Sequence, residues 1–231
     1  MDKVGKNTLE VMGNAKWYNE FFVSQISAYL KGEILEVGFG TGNFTKILAG
    51  YGKVTAIEIS SHYLNNISYK SNAIKYGFGD IEAGKYFFKD RKFDAIICLN
   101  VLEHIKNDRK ALKNIGRLLK PRGVLIMIVP AHQVLYSKLD KLLGHFRRYT
   151  AESLSSKANA SGLKVINAKY FNWIAFFGWL VFVKIMGRTT MPKNEVGIFD
   201  RIGRYFLWTE KSINPPFGLS VFAIAGKGTR H

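Results

Sequence analysis

One segment constrains the fold of this 231-residue chain more than any other: Ile34-Leu35-Glu36-Val37-Gly38-Phe39-Gly40-Thr41-Gly42-Asn43. An apolar run ends in glycines at alternate positions and passes at once into a helical pattern over 43–49, closed by Gly50 and Gly52. Glycine accepts positive φ and lets a ligand approach the backbone, so such a loop marks a binding edge. Further apolar runs recur at 53–59, weakly at 75–79, and again at 93–99, 124–129, 163–170 and 219–225. Helical stretches alternate with them. Ser60 or Ser61 is placed to cap one through its hydroxyl, Asn107 or Asp108 opens another that runs through Leu119, and Thr150 a third closed by Gly162. The alternation predicts an α/β fold. Residues 124–129 are apolar throughout, as in a strand covered on both faces, so the sheet is expected to be mostly parallel, with seven strands and helices on both sides. Ligands of such sheets sit outside the carboxyl ends of the strands, where strand order reverses. The glycine loop is therefore the place to look for a site.

A dinucleotide loop would carry a third glycine at position 43, where this chain has Asn43, and a carboxylate at Glu36 would repel a pyrophosphate. The spacing Glu-x-Gly-x-Gly-x-Gly instead resembles motif I of the class I methyltransferases that use S-adenosylmethionine (SAM). Other stretches match that family in its order. Glu58 ends the second strand, Gly79-Asp80-Ile81 follows the third, Phe93 to Ile105 matches the fourth-strand motif, and Leu119 to Leu125 the turn before the fifth. The resemblance is close over about residues 31–130. It implies a Rossmann-like methyltransferase domain with SAM as cofactor and S-adenosylhomocysteine (SAH) as product. It also implies that Glu36, Gly38, Gly40, Gly42 and Asn43 lie at the amino-acid part of the cofactor. Glu58 with Ile59 would meet the ribose, Asp80 with Ile81 the adenine, and Asn100 with Val101 would complete the pocket. Residues 1–30 are expected to form a helical cap, and 31–231 the SAM-binding domain, with an aromatic-rich insertion at about 171–218 before the last strand.

Methyl transfer from a sulfonium is an in-line displacement, so the protein mainly aligns donor and acceptor; an oxygen or carbon acceptor also needs a base. His104, His132 and His145 are the candidates, since imidazole titrates near neutral pH. The tract Asn100-Val101-Leu102-Glu103-His104 resembles that of quinone and small-molecule O-methyltransferases. Pro130-Ala131-His132 with His145-Phe146-Arg147-Arg148-Tyr149-Thr150 resembles methyltransferases of glycan and lipid-linked sugar pathways. Arg147, Arg148 and Tyr149 either hold a phosphate or carboxylate of the acceptor or pin a loop through salt bridges. Tyr18, after Trp17, either closes over SAM or anchors the first helix on the sheet. No metal site is expected. These residues lead us to expect methyl transfer to a small, apolar or lipid-linked acceptor, O-methylation slightly favoured. An RNA methyltransferase and a non-catalytic SAM-binding protein are the alternatives.

Composition bears on partners more than on fold. The chain has 34 Lys+Arg against 17 Asp+Glu, a net charge of +17 that suits nucleic acid, an anionic membrane surface or an acidic substrate. The lone Cys98 lies in an apolar run, and the polar amino terminus lacks a signal-peptide core, so a reducing cytoplasmic location is expected. Residues 170–183 are uncharged, yet as a helix they would span roughly 20 Å against a hydrocarbon core of about 30 Å. They read as a buried lid or as an interfacial helix within 173–193. In the second case Trp173 and Trp179 would lie at headgroup level, and Lys184, Arg188 and Lys193 on anionic lipid, making the protein peripheral at the membrane. Asn214-Pro215-Pro216-Phe217 spells a tetrapeptide of nucleic-acid amino-methyltransferases, but it precedes the last strand and not the fourth, so it reads as a turn. With no RNA-binding module evident, nucleic acid is the less favoured partner. The oligomeric state stays open.

Overall fold

The computed structural model describes residues 16–67, 69–188 and 215–227. Its centre is one eight-stranded sheet: β1 Glu33–Val37, β2 Lys53–Glu58, β3 Ile74–Asp80, β4 Lys85–Tyr86, β5 Phe93–Leu99, β6 Leu119–Pro130, β7 Leu163–Phe171 and β8 Ser220–Lys227. The order is β4-β3-β2-β1-β5-β6-β8-β7. Strands β3, β2, β1, β5 and β6 pair in parallel; β8 runs antiparallel between β6 and β7, and β4 antiparallel to β3. The expected seven strands are present, and the two-residue β4 is an addition too short to leave a periodic signal. Lys120 to Gly123, read as a turn, is instead absorbed into the start of β6, with Arg122 at φ +65° and a register shift against β5.

Side chains alternate across the sheet with period two, and this alternation divides the core. Leu35 and Val37, Ile96 and Cys98, and Leu125, Met127 and Val129 meet Leu112 and Ile115 of α4 (Asp108–Leu118) and Leu154 and Ala158 of α6 (Ala151–Ala160). Their neighbours Ile34, Ile97, Ile126 and Ile128 point the other way. They meet Phe22 and Ile26 of α1 (Lys16–Ile26), Leu48 of α2 (Asn43–Leu48) and Tyr63 of α3 (Ser61–Asn65). Both faces are thus covered, as fully apolar strands require. A third cluster of Leu135, Leu139 and Trp179 joins α5 (Lys138–Leu142) to the helix that follows β7.

That helix, α7 (Trp173–Gly178), continues as a π-helical stretch through Ile185. No described helix is long and apolar enough to cross a membrane. Trp179 is not at a surface: it is 8% exposed, donates its ring N–H to the Leu135 carbonyl and lies under the Arg148 guanidinium. Of the remaining insertion, residues 189–214 lie outside the described residues, and with them Lys193 and Asn214. Phe217 packs on Phe176 and Phe177.

Candidate active site

Strand order reverses at β1, which has β2 on one side and β5 on the other, so the crevice at its carboxyl end is the topological switch point. The glycine loop stands there. Gly38, Gly40 and Gly42 all adopt positive φ, and the Gly38 and Phe39 amides donate to the Ile57 carbonyl of β2. A Cβ on Gly38 would meet Val101 Cγ2 at 2.6 Å, so the loop and the segment after β5 are already in contact. Asn43 begins α2 and bonds Thr41.

Two carboxylates stand behind this loop. Glu36 shares the α2 face of β1, where the Thr45 hydroxyl donates to it. Burial, opposed by Thr45 and assisted by the charge of Glu58, pushes its pKa from 4.5 up to about 7. Glu58 ends β2: one oxygen accepts from the Gly40 amide, the other from the amides of Ile59 and Ser60, each at 3.0 Å. The hydroxyl cap expected on α3 is not formed, since Ser60 makes no side-chain cap. Asp80 Oδ1 accepts from the Ala83 amide, Ile81 is buried and Ile59 exposed. Asn100 holds φ +52° just past β5, with its amide bonded to Ile128 of β6. Carboxylates set behind close-approach glycines repel phosphate and suit a cation carrying an ammonium and a sulfonium, so the residues present fit SAM.

The catalytic candidates fall on two levels. His104 lies in a 3₁₀ turn (Leu102–His104) and packs edge-on against His145 with ring centroids 4.6 Å apart. Desolvation and the neighbouring His145 bring its pKa from 6.5 down to about 4, against a backbone hydrogen bond at Leu143. His145 Nδ1 lies 3.0 Å from Asp140 Oδ1. His132 is apart from this pair: at φ +59° after β6, its ring stacks on Tyr170 at 4.6 Å and its buried Nε2 has no partner. Burial and the charge of Arg148 lower its pKa.

The basic segment makes several internal contacts. Arg148 is buried and grips Asp140 through two bonds of 2.8 and 3.1 Å. Arg147 pairs with Asp108 and donates to the carbonyls of Ile105 and Lys106. The Tyr149 hydroxyl is buried on Asp108 and the Leu102 carbonyl. These contacts are those of a pinned loop, and Arg147 also lines a surface cleft. Tyr18 is buried against Phe171. Sequence reasoning missed Glu103 and Asp140. Glu103 is fully buried with no partner of hydrogen-bonding geometry on either carboxylate oxygen, and its pKa is pushed to about 7 by burial, against the charge of His145, its own backbone amide and the charge of Arg148. Its place beside His104 was a visible signal, but its burial was not.

Residues 35–127 match a protein family described as a methyltransferase domain. Over those residues, and in its sheet order and glycine loop, the chain resembles the class I, SAM-dependent methyltransferases. Among curated proteins, the chain is 31% identical over 121 residues to a ubiquinone biosynthesis O-methyltransferase of Rickettsia akari, covering 47% of this chain and 46% of that protein. It is 29% identical over 140 residues to an uncharacterized protein of Methanocaldococcus jannaschii, covering 60% and 58%. The chain thus spans about half the length of the curated relatives it matches. A chain of the Haloferax volcanii complex between the activator Trm112 and a methyltransferase superposes with TM-score 0.66 at 13% identity, covering 99% of both chains. The N-methyltransferase NodS of Bradyrhizobium japonicum, solved with SAH, gives 0.56 at 16%, covering 90% and 84%.

Proposed function

We propose that this protein transfers a methyl group from SAM to a small, apolar or lipid-linked acceptor, with oxygen as the favoured acceptor atom. The observation that carries the reading is the pair of buried carboxylates, Glu36 and Glu58, behind a glycine loop at the switch point of a parallel sheet. When bound, SAM supplies a methyl group already activated by its sulfonium. Glu36 balances the positive charge of the methionine end. Glu58 holds the loop amides in place and offers its remaining lone pairs to the ribose hydroxyls. Asp80 and Ile81 border the adenine, and Asn100 and Val101 close the pocket toward His104. His104 and His145 form the polar edge at which an acceptor hydroxyl would lose its proton.

The quinone-pathway names of relatives such as that of Rickettsia akari support an apolar acceptor and O-methylation. So does the exposed apolar face of Phe177, Val181, Phe182, Ile185 and Met186, flanked by Lys184, which also supports a peripheral position on anionic membrane. Cell extracts incubated with the protein and methyl-labelled SAM, read by mass spectrometry, test the reading. A labelled lipid-soluble product is expected, and label confined to RNA would replace this acceptor class with nucleic acid, the reading the +17 charge keeps open. Absence of SAM binding by calorimetry would overturn the proposal altogether.

A further inference from the structure

We propose that Glu103, His104 and His145 form a binding site for a divalent transition metal, zinc being the ion their donors suit best. One ligand atom from each lies within 4.8 Å of the others. Donors on a tetrahedral zinc at about 2.1 Å would stand roughly 3.4 Å apart, so closure by about an ångström of side-chain movement completes the set. The orphaned carboxylate is the independent sign of a ligand. Glu103 is 0% exposed and neither oxygen has a hydrogen-bond partner, although leaving a buried polar group unmatched costs about 1–3 kcal/mol. An ion between Glu103 and the imidazoles would satisfy it.

The surroundings have the form of a metal site's outer shell. Asp140 binds His145 at Nδ1 and so leaves Nε2 as the nitrogen available to an ion, the arrangement by which a carboxylate orients a ligating imidazole. Asp140 is itself fixed by Arg148 and by the amide and hydroxyl of Ser137. The two segments that bear the ligands are laced together. The Phe146 amide donates to the Glu103 carbonyl at 2.7 Å, Tyr149 to that of Leu102 and Arg147 to that of Ile105. Charge also permits the ion: Glu103 and Asp140 against Arg148 leave one net negative charge beside the two imidazoles. Two nitrogens and one oxygen favour zinc or another late first-row ion over magnesium or calcium. Three protein ligands leave a fourth position open for an oxygen ligand. That this oxygen belongs to the methyl acceptor rests on the function proposed above; the metal site itself does not.

The test uses the tag-free full chain, stripped with a chelator and titrated with zinc against a chromophoric competitor, with cobalt as a spectroscopic substitute. One zinc per chain is expected, with Glu103→Gln and His145→Ala each weakening it at least ten-fold and His62→Ala leaving it unchanged. Cobalt should give the intense visible bands of a four- or five-coordinate site, lost in Glu103→Gln. No zinc uptake by the native chain, or affinity unaltered in both ligand variants, overturns the proposal. If His145→Ala fails to fold, the near-isosteric Glu103→Gln decides alone, its fold checked by thermal melting. SAM calorimetry on the same samples separates the two readings: zinc bound without SAM defeats the methyltransferase proposal only, and SAM bound without zinc defeats the metal site only.

Discussion

Glu36 shows how one residue couples the cofactor site to pH. A buried carboxyl with its pKa near 7 is largely protonated below neutrality, whereas a cationic ligand prefers it ionised. SAM affinity should therefore rise with pH through about 7 and level off above it, and calorimetry on Glu36→Gln should show a flatter profile. The sign for stability is the reverse. Folding raises this pKa above its ordinary 4.5, so the group's favourable contribution is complete below 4.5 and gone above about 7. Glu36→Gln is expected to gain on the order of 3 kcal/mol relative to the native chain at pH 8 compared with pH 4, read from urea melts. At Gly38 the backbone at φ +74° and the 2.6 Å approach to Val101 leave no room for a methyl group. Gly38→Ala should destabilise the fold by about 1–3 kcal/mol and abolish measurable SAM binding.

Between elements, the Asp140–Arg148 pair ties α5 to the strand-like segment before α6. Removing one partner of a buried ion pair strands the other's charge, and here Arg148 also faces Glu103. Arg148→Ala should cost about 3–5 kcal/mol in denaturant melts. Although burial opposes it, hydrogen bonds from His145 and the Arg148 charge hold the Asp140 pKa down at about 2 from its ordinary 3.8. Its contribution is therefore present above 3.8 and lost as pH falls through 2, an acid transition that Arg148→Ala should shift upward. Thr150 accepts from the Ser153 amide in a reciprocal cap on α6, and Thr150→Ala is expected to cost about 1 kcal/mol by the same measurement.

For the whole molecule, the excess of positive charge is the property that acts at a distance. Non-specific affinity for RNA should fall at least about ten-fold between 50 and 200 mM salt, as counterion release requires, while SAM affinity changes little. Filter binding across that range checks it, and RNA retention that survived the higher salt would argue for a specific nucleic-acid acceptor. The mixed placement of the cations is consistent with this. In a surface cleft of about 560 Å³ lined by Lys106, Arg109, Arg147 and Lys157, two of the four are already paired with Asp108.

The strands, their burial on both faces and the glycine loop were legible in the chain because period-two and period-3.6 patterns and φ preferences are local properties. Glu36, Gly38, Gly40, Gly42 and Glu58 could be named from their resemblance to a family motif, since a strand end and the loop after it are continuous in sequence. What Arg147, Arg148, Tyr149, Tyr18 and Trp179 do was not legible. A basic or aromatic side chain has the same appearance in a sequence whether it meets a ligand, a lipid or a buried partner, and Asp108, Asp140, Phe171 and Leu135 reach them only through the fold. The cluster of Glu103 with His104 and His145 arose in the same way. Folding placed two distant segments side by side and removed water from a carboxylate, and desolvation is a property of the packed molecule that no stretch of sequence carries.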